Sequence, residues 1–239
     1  MARQLLRTEH LTKRFKGLTA NEDVDFEIFA GEIRCVIGPN GAGKTTFLSM
    51  ISGHLQPTSG RVWFRGEDIT KMPLVERARL GIARKFQTPS VFNRLTVYEN
   101  IELAVLGTSR PKHRRDARVR EVLELVRLSE QTHQLTSMLS HGQRQWLEVG
   151  LLIGNDADLM LLDEPTAGMT AEETHSTGEL VQSLARDLSL SAIIIEHDIN
   201  FIRNLDAPIT VLHMGRVVAH GNYDEISHNE MVRDSYLGH

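Results

Sequence analysis

Apolar and polar positions alternate over Leu5 to Leu11 and again over Val24 to Phe29, the period of a strand with one buried face. Ala30-Gly31 reads as the turn that leaves the second of them. Three further runs are apolar at nearly every position: Ile33 to Ile37, Leu159 to Leu162 and Ala192 to Ile195. Such runs fit strands covered on both faces, as in a parallel sheet between two layers. Gly60 to Gly66 brackets a short strand with glycines, and Ile82 to Gln87 is a strand ending in an amide. Ile209 to Leu212 and Val217 to His220, joined through Met214-Gly215, form a hairpin. Helical spacing governs Phe47 to Ile51, closed by Gly53, then Met72 to Leu80, and finally Glu225 to Tyr236. Val119, Val122, Leu123 and Val126 stand at i, i+3, i+4 and i+7, so a helix there buries one stripe. Neither an internal repeat nor a low-complexity linker interrupts the pattern.

With 239 residues the chain can bury a full α/β core, and one domain with a helical insertion is expected. A net charge of −4 gives no global basic field, so nucleic acid is not an expected partner. Cys35, the only cysteine, lies inside an apolar strand. Alone it has no intrachain bridge and reads as a small buried hydrophobe suited to a reducing cytoplasm. The opening MARQLLRTEH holds no apolar core of the secretory kind, and no run reaches the roughly eighteen apolar residues that span a bilayer. Any membrane role is therefore expected to use another chain's helices. Residues 110–120 are strongly basic; they suit a solvated helix face or a patch for anionic headgroups, which Glu121 and Glu124 dilute.

The strongest chemical signal follows the run ending at Ile37: Gly38-Pro39-Asn40-Gly41-Ala42-Gly43-Lys44-Thr45-Thr46. Gly38, Gly43, Lys44 and Thr45 meet the spacing GxxxxGK[ST]. Glycines let successive backbone N–H groups converge on phosphate oxygens, and the helix that follows adds its positive end. Lys44 would reach the β- and γ-phosphates, and the Thr45 hydroxyl would ligate Mg²⁺.

Weaker signals lie along the rest of the chain. Phe15 is either a base-stacking ring or a residue of a small core. Gln87 is an exposed amide or a ligand through its carbonyl oxygen. Ser140 and Gln143, within Leu139-Ser140-His141-Gly142-Gln143, have the S-x-x-Q spacing of a capping box. Asp163 and Glu164 follow an apolar strand, where α/β folds place metal-binding and catalytic acids; Asp163 would hold Mg²⁺ through water, and Glu164 would polarise an attacking water. His197, just beyond another strand end, is a structural residue or a γ-phosphate partner.

Taken in order, the phosphate loop, Gln87, LSHGQ, LLDE and His197 resemble the ATP-binding subunits of ABC transporters over essentially the whole chain. The resemblance implies a P-loop ABC ATPase with a mainly parallel core sheet, an antiparallel β edge and an inserted helical subdomain. Residues 1–88 and 157–239 would be the catalytic core and residues 89–156 the helical signature subdomain. It implies Phe15 as the adenine-stacking ring, Gln87 as a Q-loop amide at the metal, Glu164 as catalytic base and His197 as switch histidine. Ser140, Gly142 and Gln143 would face ATP held by a second ATPase subunit, a copy or a sister chain, so that ATP joins the two. Implied partners are membrane permeases, whose coupling helix the segment Ser90 to Leu95 would receive, and indirectly a periplasmic solute receptor. The subunit would sit peripherally on the cytoplasmic face of the inner membrane. A soluble ABC ATPase that drives assembly of a cytosolic complex is the alternative.

Two positions depart from the family pattern: His141 replaces the first glycine of LSGGQ, and Thr170 stands where an aspartate is usual. The run Pro165 to Thr170 and the ending Tyr236-Leu237-Gly238 resemble the importers of branched-chain amino acids and urea. LSHGQ with AGMT is most similar to the urea-type subunit.

Overall fold

A computed structural model describes residues 3–85 and 90–233 of the chain. β1 (Gln4–Phe15) and β2 (Leu18–Phe29) form an antiparallel hairpin longer than the alternation foretells. Register shifts between Thr8 and Leu11 and between Leu11 and Lys13 interrupt the period-2 pattern, which hides the outer halves of both strands. β3 (Ile33–Ile37) then leads through the glycine loop into α1 (Lys44–Ser52). β4 (Ser59–Phe64) returns to pair with β1, and β5 (Glu67–Asp68) extends this edge sheet, whose order is β2-β1-β4-β5.

α2 (Leu74–Arg79) begins later than Met72 because Pro73 is its N-cap. Arg77 of α2 is fully buried and donates to the carbonyls of Met50 at 2.7 Å and Ile51 at 2.8 Å, closing the C-terminal end of α1. A cation there meets the negative end of the helix and otherwise orphaned acceptors. β6 (Ile82–Lys85) follows, and Gln87 lies outside the described residues.

α3 (Val97–Leu106), α4 (Arg115–Leu125) and α5 (His141–Gly154) pack on one another between β6 and β7 (Leu159–Asp163). The stripe expected on α4 is present, with Val119, Val122, Leu123 and Val126 all buried. Three arginines of the basic stretch are paired locally: Arg110, ahead of α4, with Asp156 at 2.6 Å, Arg118 with Glu121 at 3.1 Å and Arg120 with Asp116 at 3.1 Å. That arrangement fits a solvated face rather than a lipid patch.

α6 (Ala171–Leu188), β8 (Ser191–Ile195), α7 (Ile199–Leu205), β9 (Ile209–His213) and β10 (Arg216–Gly221) complete the core. In place of one helix over Glu225 to Tyr236 there are two short ones, α8 (Tyr223–Ser227) and α9 (Glu230–Val232), and residues 234–239 lie outside the description. Asn222 and Asn229 each cap a new start, which divides the segment.

The core sheet runs β10-β9-β3-β8-β7-β6, parallel except for β10. It is the middle layer of three. Leu159 and Leu161 face α1 and the edge sheet, whereas Met160 and Leu162 face the helical layer. Each such leucine contributes about 1.5–3 kcal/mol of burial, and both faces are filled. This explains the unbroken apolar runs, and it leaves the C-terminal ends of β3, β7 and β8 as the edge from which polar loops emerge.

Candidate nucleotide site

Gly43 caps α1 with φ 97°, and α1 has no side-chain cap at this end. A Cβ on Gly43 would strike the Ala20 carbonyl and come within 2.7 Å of Asn21 Nδ2, so only glycine fits. The turn of the β9–β10 hairpin braces the loop, with the Gly215 N–H donating to the Ala42 carbonyl at 3.0 Å. Gly38 is buried, Pro39 half-buried, and Asn40, Gly41 and Thr45 are exposed around the mouth, with Thr46 behind them. Lys44 folds over the loop and donates to the carbonyls of Gly38 at 2.7 Å and Pro39 at 3.0 Å. Burial lowers its pKa, and the carboxylates of Glu164 and Asp163 oppose that shift. A cation held by two neutral acceptors is ready to exchange them for anionic oxygens.

Asp163 ends β7, opposite Ile195, and is 2% exposed. Its Oδ2 accepts from Arg84 Nη2 at 3.2 Å; Arg84 Nη1 donates to Ser49 Oγ at 2.7 Å, and Ser49 Oγ donates to the Thr45 carbonyl at 2.6 Å. This chain ties the acid to the turn of α1 that carries Thr45. Asp163 Oδ1 is buried with no hydrogen-bond partner among the described residues. An orphaned carboxylate oxygen at a strand end fits a hard cation that retains its water, which is the preference of Mg²⁺.

Glu164 adopts φ 50°, an uncommon conformation for a non-glycine residue, fixed by its N–H to the Ile195 carbonyl at 2.9 Å. Its Oε1 lies 3.2 Å from His197 Nε2, and the two side chains are 33% and 35% exposed. Glu196, which the sequence does not single out, is 3% exposed and clamps the two loops together. Its carboxylate accepts from the Thr166 N–H at 2.8 Å, the Thr166 hydroxyl at 2.6 Å and the His197 N–H at 3.0 Å. Arg84 is equally unforeseen. Both contacts join residues distant in the chain, so no local spacing signals them.

Phe15, at the end of β1, is 40% exposed with Lys13 Nζ 5.1 Å from its ring centre, so it is not a core residue. Lys44, Asp163, Glu164 and His197 share one edge of the core sheet. Ser140, Gly142 and Gln143 do not join them. The capping box at the start of α5 is present, with Ser140 Oγ accepting from the Gln143 N–H at 3.2 Å and Gln143 Oε1 from the Ser140 N–H at 3.0 Å. Ser140 Oγ and the Gly142 N–H donate to Glu173 of α6, at 3.2 and 3.1 Å. His141 Nε2 donates to the Ala167 carbonyl at 2.8 Å.

The ABC transporter family model matches residues 21–167. A branched-chain amino acid transport ATP-binding protein LivG of Archaeoglobus fulgidus, so described as probable, is 36% identical, covering 98% of this chain and 96% of the relative. The lipopolysaccharide export system ATP-binding protein LptB of Haemophilus influenzae is 32% identical over 98% of this chain and 97% of its own. Among solved structures, a nucleotide-free ATP-binding cassette from an ABC transporter superposes with TM-score 0.88 at 27% identity, covering 99% of this chain and all of that one.

Proposed function

The chain belongs to the ABC transporter family as an ATP-binding subunit with ATPase activity, and on that premise we propose that it powers a solute importer by closing and opening a two-subunit ATP sandwich. The observation that carries the catalytic part is the Glu164–His197 pair at 3.2 Å, beside a phosphate loop whose lysine donates to two neutral carbonyls. Gly38 to Thr46 cradle the phosphates, and Lys44 leaves the Gly38 and Pro39 carbonyls for phosphate oxygens. Phe15 stacks on adenine. Thr45, Gln87 and, through water, Asp163 would hold Mg²⁺, which when bound would offset charge on the phosphate oxygens. Glu164 takes the proton of the attacking water, and His197 fixes the carboxylate that does so. Ser140, Gly142 and Gln143, part of a helical signature subdomain over residues 89–156, serve the nucleotide of the other subunit.

The surface around Ser90 suits a coupling helix. A cavity of about 340 Å³ there is lined by Ser90, Phe92, Leu103 and, at its floor, the buried pair Lys85–Glu148. Phe92 and Leu103 are exposed large hydrophobics at its rim. No helix among the described residues is long and apolar enough to cross a membrane, which fits a peripheral subunit that docks on permeases at the cytoplasmic face. A periplasmic receptor would deliver the solute. Relatives of similar identity are named for different cargoes, branched-chain amino acids and lipopolysaccharide, which supports a cargo chosen by the partners. LSHGQ and AGMT favour urea or a short amide, with branched-chain amino acids next.

Glu164→Gln tests the catalytic part. Turnover should fall about 100- to 10,000-fold while ATP binding persists and Mg²⁺-ATP holds the protein as a dimer in size-exclusion chromatography. Near-normal turnover would remove Glu164 from this role. Co-purification of a permease supports the importer, whereas retention in a cytosolic complex alone would favour an assembly ATPase.

A further inference from the structure

We propose that Glu173 gates the trans phosphate seat: in the isolated subunit its carboxylate holds the two donors that the partner's ATP must engage, and closure displaces it. The inference rests on the reading above that Ser140 and Gly142 meet the γ-phosphate of the other subunit.

One oxygen of Glu173, Oε1, accepts both the Ser140 hydroxyl at 3.2 Å and the Gly142 N–H at 3.1 Å. A hydroxyl and a backbone amide converging on a single anionic oxygen is the set a terminal phosphate oxygen would find there. The other oxygen, Oε2, accepts the Thr170 N–H at 3.1 Å and the Thr170 hydroxyl at 3.3 Å, as the N3 acid of the α6 capping box. Glu173 thus spans two helix starts and is anionic at neutral pH, since hydrogen bonds from Thr170 and Gly142 hold its carboxyl below the usual range. A Cβ at position 142 would sit 2.8 Å from Oε1 and 3.0 Å from the Glu173 Cδ, so the glycine is what lets the carboxylate reach the amide.

The two departures from the family pattern join the same device. Thr170 orients the acid, and His141 ties the helix start to the Ala167 carbonyl at 2.8 Å, in the loop that follows Glu164. The contact is only partly shielded, so a carboxylate of single charge is a weak enough occupant to yield to a triphosphate. When it yields, the start of α6 and the loop from Glu164 lose an anchor. Arrival of the partner's nucleotide is thereby registered beside the subunit's own catalytic acid.

The test uses full-length Glu164→Gln protein and reads the Mg²⁺-ATP concentration at which half of it is dimeric by light scattering. Glu173→Gln removes the charge. Glu173→Asp retains charge and can still cap α6 but is one methylene too short to reach α5. Both should lower the midpoint about 3- to 10-fold, with ATP affinity of dilute monomer unchanged in a fluorescent-nucleotide titration. Thermal melting verifies that each variant is folded, and the aspartate variant keeps the test available if the glutamine variant is not. An unchanged or raised midpoint in both would overturn the gate. So would a drop confined to Glu173→Gln, because that traces to charge near the helix and not to occupancy of the seat. A parent protein that never dimerises with ATP gives a different result: the trans arrangement itself fails, and the gate with it.

Discussion

Two helices of this protein begin in ways that suit an anion, and they prepare for it oppositely. α1 starts at Gly43 with no side-chain cap among the described residues, and the Lys44 ammonium folds back over the loop there onto the Gly38 and Pro39 carbonyls. α5 starts with a complete capping box, and its hydroxyl and amide donors are already taken by Glu173. An uncapped helix end needs a ligand from solution; a capped and occupied one needs a competitor. The first site is built by local sequence, the second by contact between elements, and the proposed sandwich would use both at once.

Removing the lysine should have the largest effect on this contrast. Lys44→Ala deletes the cation that α1 offers in place of a cap, and nucleotide affinity should fall about 100-fold by calorimetric titration, with α5 untouched. Unchanged affinity would mean that the loop does not bind phosphate through Lys44. α1 also gains its rigidity from its far end. Arg77→Met would leave the carbonyls of Met50 and Ile51 without their donor in a buried place. Stability should drop by about 2–4 kcal/mol in urea unfolding, more than loss of either helix's N-terminal chemistry would cost. Ser140→Ala is the smallest in stability, about 1 kcal/mol for the lost cap. Its ATPase rate should nevertheless fall about tenfold at unchanged ATP affinity of the monomer, because Ser140 would act only across the interface. A parallel loss of monomer affinity would place Ser140 at its own subunit's nucleotide and erase the contrast between the helices.

Sequence reached the two sites unequally, for physical reasons. The strand before the glycine loop, the loop and Lys44 are contiguous, so spacing alone discloses them. The same holds for Asp163 and Glu164 after β7, and for Ser140 and Gln143, where a cap needs only three residues of separation. Arg84, Glu196 and Glu173 act on partners far along the chain, and nothing in their neighbourhoods announces it. Elements divided likewise. Buried strands are runs of apolar residues and are visible, whereas apolar spacing alone does not predict α3, α6 or α7, although Thr96 with Glu99, and Thr170 with Glu173, form capping boxes that local spacing carries. The continuous helix expected over Glu225 to Tyr236 fails because periodicity does not see that Asn229 begins a new helix.

Mixing two disabled subunits tests the sandwich most directly. Lys44→Ala and Ser140→Arg, each in the Glu164→Gln background, should both remain monomeric with Mg²⁺-ATP when alone. Combined, they leave one complete site, formed by Lys44 of one chain and Ser140 of the other. The mixture should yield a dimer that retains a single ATP after excess nucleotide is removed. If the mixture stays monomeric while each protein is folded and the Glu164→Gln parent dimerises, the two helix starts do not meet across a shared nucleotide, and the central claim is wrong.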